Sequence, residues 1–183
     1  MYMDLRFLRT ETMIKEKFIE QLLVMPFHDM TVTKLAKVSM IDRTTFYTHY
    51  SSTFELASAL ITDYLTPFKN AFEQGEKQRH LQSSFDSYNF FSDELVDYLL
   101  DNKQTIQLLR EISLGKMSFD PQLRQLFVDI YSKIFNRQPS DFVIYLVVSL
   151  AMSNVDFILN EGRLPKREEL QDGIDLMSAA INK

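Results

Sequence analysis

The sequence contains no cysteine, and it has only 4 glycines and 5 prolines in 183 residues. The absence of cysteine excludes disulfides, thiolate metal sites and a cysteine nucleophile. So few glycines exclude a glycine-rich phosphate loop and argue against a turn-rich β fold. Because 45% of the residues are hydrophobic and 25% are charged, the composition is that of a globular chain. We therefore expect an all-α protein.

The chain also lacks an excess of positive charge. Its formal net charge is −5, and residues 1–50 carry 7 basic and 6 acidic side chains against 13 and 19 in residues 51–183. Bulk electrostatics would therefore not attract nucleic acid to this protein. Any nucleic-acid binding must use a local surface, and the N-terminal part is the less acidic of the two.

Long hydrophobic runs are missing as well. The most apolar stretch, residues 142–152, is much shorter than the ~20 residues that a membrane-spanning helix needs. Charged residues interrupt every apolar stretch near the N-terminus, so the hydrophobic core of a signal peptide is not found there. We expect a cytoplasmic protein without membrane association.

The spacing of apolar residues predicts three helices near the N-terminus, at 11–25, 32–38 and 43–50. Pro26 should end the first helix, because proline cannot continue it. Thr31 and Asp42 are placed to cap the second and third helices with their side-chain oxygens. The turn that separates these two short helices, residues 39–42, is four residues long.

A long fourth helix should begin at the capping box Ser52–Glu55, bend at Pro67 and reach Gly75. The polar stretch 74–84 is the best candidate for a loop. Asp120 and Pro121 favour a helix start at 121, and Glu161-Gly162 favours a helix end. Further helices are expected at about 88–101, 103–114, 121–136, 140–161 and 166–181.

Two short helices joined by a tight turn and preceded by a third helix describe a helix-turn-helix. In such a unit the second short helix can enter the DNA major groove with its N-terminal residues near the base edges. Here those residues are Arg43, Thr44 and Thr45, and the hydroxyl and imidazole groups at 47–49 follow them. Phe46 and Tyr50, spaced by four, should face inward.

The segment TVTKLAKVSMIDRTTFYTHY, residues 31–50, resembles the DNA-binding signature of the TetR family of bacterial transcriptional regulators. The similarity runs without a gap over about 45 residues from the first helix. Asp4-Leu5-Arg6 and TFYTHY are similar to a subset of this family that is related to regulators of dihydroxyacetone kinase genes.

The resemblance implies a role for each matching position. Arg43 and Thr44 match base-reading positions, and Thr48 matches a variable reader. Thr45, Tyr47 and His49 match positions that contact phosphate or the groove wall. The full set of DNA-binding residues that the resemblance implies is Thr31, Thr33, Arg43, Thr44, Thr45, Tyr47, Thr48 and His49.

The sequence departs from the family pattern at three places. Ser39-Met40 stands where the family usually has Ala-Gly, and a left-handed residue other than glycine costs ~1 kcal/mol. Val38 replaces a common basic residue, and Thr53 replaces a lysine that is a usual phosphate contact. We therefore expect weak non-specific affinity for DNA.

The resemblance further implies a DNA-binding domain at 1–68, joined by a long helix to a helical regulatory domain at 69–183. In the family this second domain binds a small-molecule inducer and forms a homodimer through its last two helices, here at about 140–161 and 166–181. Both helices have wide apolar faces: Phe142, Val143, Leu146, Val147 and Leu150 on one, and Leu170, Ile174, Met177 and Ile181 on the other.

Other interpretations stay open at this point. The eleven aromatic residues from Phe68 to Phe135 could line a ligand cavity or form a core. The protein could also be a helical interaction module or co-activator that keeps the fold but acts through a protein partner. His28 and His80 have no Cys, Asp or Glu at the spacing of metal ligands, so we expect no metal and no cofactor. Without a catalytic motif, we expect no enzymatic activity.

Overall fold

The computed structural model describes residues 5–79, 91–134 and 140–181. These residues form nine α-helices and no strand, which confirms the predicted all-α class. The helices are α1 (Leu5–Leu22), α2 (Val32–Val38), α3 (Arg43–His49), α4 (Thr53–Arg79), α5 (Asp93–Asp101), α6 (Lys103–Arg110), α7 (Phe119–Ile134), α8 (Asp141–Glu161) and α9 (Arg167–Ile181).

The chain divides into two compact units. The first contains Met1–Thr66 together with Gln104–Gln122, and the second contains Pro67–Lys103 and Leu123–Lys183. Residues 104–122 therefore belong to the same unit as α1–α3, although they lie far from them in sequence. The functional division at residue 68 stays a prediction.

The core of the first unit is built from the apolar stripes that the sequence predicts. Ile14 and Phe18 of α1 lie one turn apart and are fully buried, as are Leu35 of α2 and Phe46 of α3. The segment 104–122 adds buried residues of its own: Ile106, Leu109, Ile112 and Phe119. The unit thus buries large side chains from both of its segments.

Helix α1 differs from its predicted bounds at both ends. It begins at Leu5 and includes Thr10 and Thr12, whose hydroxyls donate to the carbonyls four residues earlier. It ends at Leu22, where the amides of Val24 and Met25 both turn back to the Gln21 carbonyl. Pro26 follows that turn and does not itself end the helix.

The long helix α4 extends beyond its predicted end. It includes Pro67 and Gly75 and ends at Arg79, so the first part of the predicted 74–84 loop is helical. Glutamate, glutamine and lysine dominate this stretch, and all three are good helix formers. Because these residues are polar, the stretch has no apolar periodicity from which a helix could be predicted. Residues 80–84 of the predicted loop lie outside the described ranges.

The sequence prediction also misplaced the helix ends around residues 110–121. Helix α6 ends at Arg110 rather than 114, and α7 begins at Phe119 rather than 121. Asp120 does not act as a cap. Instead its two carboxylate oxygens accept hydrogen bonds from Arg110 Nε and Nη2 at 2.7 and 3.0 Å. This paired ion contact fixes the turn between the two helices.

The second unit is organised around α8, which packs against α5. Helix α8 buries Val148, Ala151, Val155 and Ile158, whereas residues 141–147 before them are largely exposed. Gly162 ends the helix with a left-handed φ of 73°, and this confirms the predicted stop. No side chain described on α9 is buried.

In the ranges that the structure covers, α8 is the one helix long and apolar enough to cross a membrane. Its best window has a mean hydropathy of 2.0, and 33% of that window is buried. Length and composition alone do not distinguish a spanning helix from the core helix of a soluble protein.

Candidate nucleic-acid interface

Both short helices are capped as the sequence predicts. The Thr31 hydroxyl oxygen accepts a hydrogen bond from the Lys34 amide at 3.2 Å, at the start of α2. The Asp42 carboxylate accepts one from the Thr45 amide at 2.7 Å, at the start of α3. This hydrogen bond lowers the pKa of Asp42, so the carboxylate stays charged at the positive end of the helix dipole.

The turn between α2 and α3 depends on a strained residue. Met40 has a φ of 52°, and it is the one non-glycine residue with positive φ in the described chain. The turn closes because the Ile41 amide donates to the Ala36 carbonyl at 3.0 Å. The Met40 side chain is 90% exposed, so packing does not offset the backbone cost of ~1 kcal/mol.

Helix α3 has a buried face and an exposed face, as its spacing predicts. Phe46 and Tyr50 are buried against the core of the first unit. Arg43, Thr44, Tyr47 and Thr48 are all exposed. Because these four positions are related by steps of one and four residues, they lie on one side of the helix.

Three of the threonines that were predicted to contact DNA have hydrogen bonds or surroundings that limit the contacts they can make. The Thr48 hydroxyl donates to the Thr45 carbonyl at 2.7 Å, so only its methyl group and oxygen lone pairs face outward. Thr45 itself is half-buried, and its amide is the one that Asp42 caps. Thr31 uses its oxygen as the α2 cap but keeps its hydroxyl hydrogen for another acceptor. Thr33 is exposed on the first turn of α2.

Arg43 and Tyr47 form a pair on the exposed face of α3. Arg43 Nη2 donates to the Tyr47 hydroxyl oxygen at 3.3 Å, and the guanidinium carbon lies 5.9 Å from the centre of the Tyr47 ring. The Tyr47 ring in turn meets Phe46 edge-on, with centroids 6.0 Å apart. Because Phe46 is fully buried, this contact ties the pair to the core.

His49 is less accessible than the sequence predicts. Its ring stacks on Phe7 of α1 with centroids 4.0 Å apart, and its Nδ1 atom is buried without a partner in the described chain. Burial lowers the pKa of His49, although Glu11 opposes the shift. The neutral form with hydrogen on Nε2 avoids a buried unpaired N–H, and it leaves Nε2 as the outward donor.

Phe7 is a residue that sequence reasoning missed. It lies on the first turn of α1, which the prediction left out of the helix. The spacing of Phe7 and Glu11 by four residues carries the signal, since both then lie on one face of α1. Both of these side chains approach the end of α3, where Glu11 contacts Tyr50.

A network of polar side chains connects α1 to α3 and α4. The Tyr50 hydroxyl donates to Glu11 at 3.1 Å, and Lys15 Nζ contacts Glu11 at 2.8 Å and Asp63 at 2.9 Å. Hydrogen bonding to Lys15 lowers the pKa of Glu11, and burial raises the pKa of Tyr50. Burial opposes the lysine charge, but the two carboxylates outweigh it and raise the pKa of Lys15.

The capping box at the start of α4 forms only in part. The Ser52 hydroxyl oxygen accepts from the Glu55 amide at 3.2 Å, as predicted. The Glu55 carboxylate, however, accepts from the amide of Ser51 at 2.6 Å, one residue earlier than a capping box requires. Thr53 is only 8% exposed.

A second surface lies between α8 and α9. An apolar groove of about 740 Å³ runs between the two helices. The groove is lined by large apolar residues from both helices, among them Leu146, Val147, Leu150, Leu170, Ile174 and Met177. Within the parts of the chain that are described, no group of three acidic or histidine side chains could hold a metal ion.

Comparison of the chain with protein-family models, with curated proteins and with solved structures found no match. The indications of function are therefore the geometry of α2 and α3 and the sequence resemblance of residues 31–50.

Proposed function

We propose that the protein is a TetR-like transcriptional regulator that binds a palindromic DNA operator as a homodimer. The observation that carries this proposal is the exposed face of α3, where Arg43, Thr44, Tyr47 and Thr48 present a cation, hydroxyls and methyl groups together. A helix with such a face fits the major groove, where base edges offer acceptors and thymine methyl groups. A cytoplasmic location follows, because chromosomal DNA is there in bacteria.

The local charge of the helix-turn-helix supports the proposal. Residues 31–50 contain three basic side chains, Lys34, Lys37 and Arg43, against one acidic side chain, Asp42. The charge of Asp42 is directed into the first turn of α3, where it caps the Thr45 amide. This segment is thus a locally basic surface on a chain whose overall charge is negative.

The exposed apolar faces of α8 and α9 support a homodimer. Phe142, Leu146 and Leu150 of α8 and Ile174 and Met177 of α9 all expose large parts of their side chains. Two copies of such a surface bury each other in a two-fold arrangement, since each helix pair meets an identical pair. The dimer would present two α3 helices to the two halves of a palindrome.

We further propose that a small-molecule inducer regulates DNA binding through the second unit. Such a ligand would favour a dimer conformation whose two α3 helices no longer match the operator spacing. The shift cannot exceed the difference in the ligand's affinity for the two conformations. In this scheme the protein acts as a repressor that the inducer releases.

The test is binding of the full chain to mixed-sequence duplex DNA across a range of salt concentrations. We expect affinity to fall steeply with salt, with a slope that counts phosphate contacts. Binding to the palindromic operator, once it has been selected, should weaken in Arg43→Ala and in Tyr47→Phe while the dimer stays intact. Lys133→Ala removes an exposed cation from α7 and is the matched control, with no expected effect. Unchanged affinity in both α3 variants would contradict the role of α3.

A second candidate function has two observations in its favour. His49 stacks on Phe7 instead of standing free, and Thr53 is buried where the family has a phosphate-binding lysine. Both changes reduce the number of phosphate contacts, as expected for a helical interaction module or co-activator that acts through a protein partner. Such a protein would show no steep salt-dependent binding to duplex DNA, so the same titration separates the two functions.

A further inference from the structure

Arg43 carries a positive charge that no acidic group among the described residues neutralises. It is the first residue of α3, it is exposed, and it forms no ion pair with any residue that the structure describes. The neighbouring Asp42 is turned away, because its carboxylate caps the Thr45 amide at 2.7 Å. The Arg43 side chain therefore has a charge available for an external partner.

Tyr47 restricts the direction in which that charge points. Its hydroxyl oxygen takes one of the five N–H donors of Arg43, at 3.3 Å, and its ring lies under the guanidinium group. The Tyr47 ring is itself placed by its edge-on contact with the buried Phe46, at an interplanar angle of 86°. Four guanidinium donors remain, on a group held at the N-terminal end of α3.

We infer that Arg43 reads a guanine in each operator half-site and that Tyr47 is its positioning residue. In the major groove only guanine presents two acceptors side by side, O6 and N7, and the arginine fork matches both. Adenine and cytosine place an amino group there, and thymine offers a single acceptor. Thr44 and Thr48, which are small and exposed on the same face, leave room for close approach. This inference rests on the proposed function and adds base specificity to it.

The experiment is selection of DNA from a randomised duplex library by the full chain, followed by affinity measurements on the selected site. We expect a guanine at a fixed position in each half-site. Replacing its G·C pair should weaken wild-type binding about 5- to 150-fold, whereas Arg43→Ala should bind both sequences alike. Substituting 7-deazaguanine, which lacks N7, should also weaken wild-type binding. Inosine keeps O6 and N7 and lacks only the minor-groove amino group, so it is the matched control.

Tyr47→Phe tests the positioning role. Loss of the hydroxyl should lower the preference for guanine about 2- to 10-fold, with the dimer and the melting temperature unchanged. In the Arg43→Ala background, Tyr47→Phe should leave base preference unaltered, since there is no guanidinium left to position. A tyrosine that contacts only phosphate would instead weaken binding to all sequences equally, and this result would overturn the positioning role.

The outcomes separate this inference from the proposed function. If the selection yields a palindrome but Arg43→Ala changes no base preference, Arg43 is a phosphate contact and the inference is wrong while the regulator stands. If the selection yields no motif, the proposed function fails and the inference fails with it. A fixed guanine whose preference disappears in Arg43→Ala supports both.

Discussion

The regions α1–α3 and α8–α9 differ in how far they bury their large apolar side chains. Ile14, Phe18 and Phe46 of the first region are fully buried, whereas Phe142 of α8 is 69% exposed and Leu176 of α9 is 73% exposed. The core side chains of the first region are buried within one chain. The second leaves an apolar surface that the described residues of one chain do not cover, which is what the proposed homodimer requires.

The largest expected effect comes from a matched pair of substitutions, one in each region. Phe46→Ala should lower the free energy of unfolding by about 3–5 kcal/mol, because it empties a fully buried site. Phe142→Ala should leave the stability of the separate chain nearly unchanged, since the side chain is exposed there. Urea unfolding at several protein concentrations measures both. A concentration-independent loss in Phe142→Ala as large as that in Phe46→Ala would remove the contrast.

A charge in the α8–α9 groove should break the dimer. Leu150 lines the groove. In Leu150→Glu a two-fold interface would therefore bury two carboxylates, one from each copy. We expect the dimer dissociation constant to rise about 100-fold or more, as measured by sedimentation equilibrium. Val24→Glu is the control, because Val24 is an equally apolar, exposed residue of the first unit. Equal behaviour of the two variants would place the interface elsewhere.

The turn of the first region should tolerate a stabilising substitution. Met40→Gly is expected to raise the free energy of unfolding by about 1 kcal/mol, since glycine adopts a φ of 52° without strain and the exposed methionine packs on little. Lys37→Gly, in the last turn of α2, should lower it, because glycine has a poor helix propensity. Thermal unfolding distinguishes them. A destabilised Met40→Gly would mean that the methionine side chain contributes contacts that its exposure does not suggest.

The smallest expected effect concerns the pH dependence of the network around Glu11. The pKa of Glu11 is lowered in the folded protein, so its contribution is present above its unfolded pKa and is lost as the pH falls through the folded pKa. Glu11→Gln should therefore cost about 0.5–1 kcal/mol at neutral pH, and the difference from wild type should shrink in acid. A difference that stays constant from neutral to acidic pH would exclude this carboxylate as its source.

The sequence predicted the bounds and caps of α2 and α3 closely because the signals for them are local. Thr31 and Asp42 act as caps, Met40 takes the left-handed turn position, and Phe46 and Tyr50 are buried, as each pattern indicates. The stack of His49 on Phe7 could not be predicted in this way, since it joins residues 42 positions apart. It also depends on the first turn of α1, which lay outside the predicted helix. Some helix ends were mispredicted for similar reasons. Asp120, for example, pairs with Arg110 instead of capping a helix.

The second region was predicted with less detail, and its proposed role in a homodimer depends on contacts between two chains. Apolar periodicity identified α8 and α9 within one residue of their bounds, because long amphipathic helices are the strongest periodic signal. The same periodicity cannot distinguish a face buried in the core from a face that meets a second copy. The structure adds that Leu146, Leu150 and Met177 are exposed rather than buried in the core of one chain.

The most direct test of the central claim is selection of genomic DNA fragments by the purified full chain at moderate salt, read out by sequencing. The proposed regulator should recover one palindromic sequence, and Arg43→Ala should fail to enrich it. Recovery of fragments without a shared motif, or of none above background, would contradict the claim that α3 reads an operator.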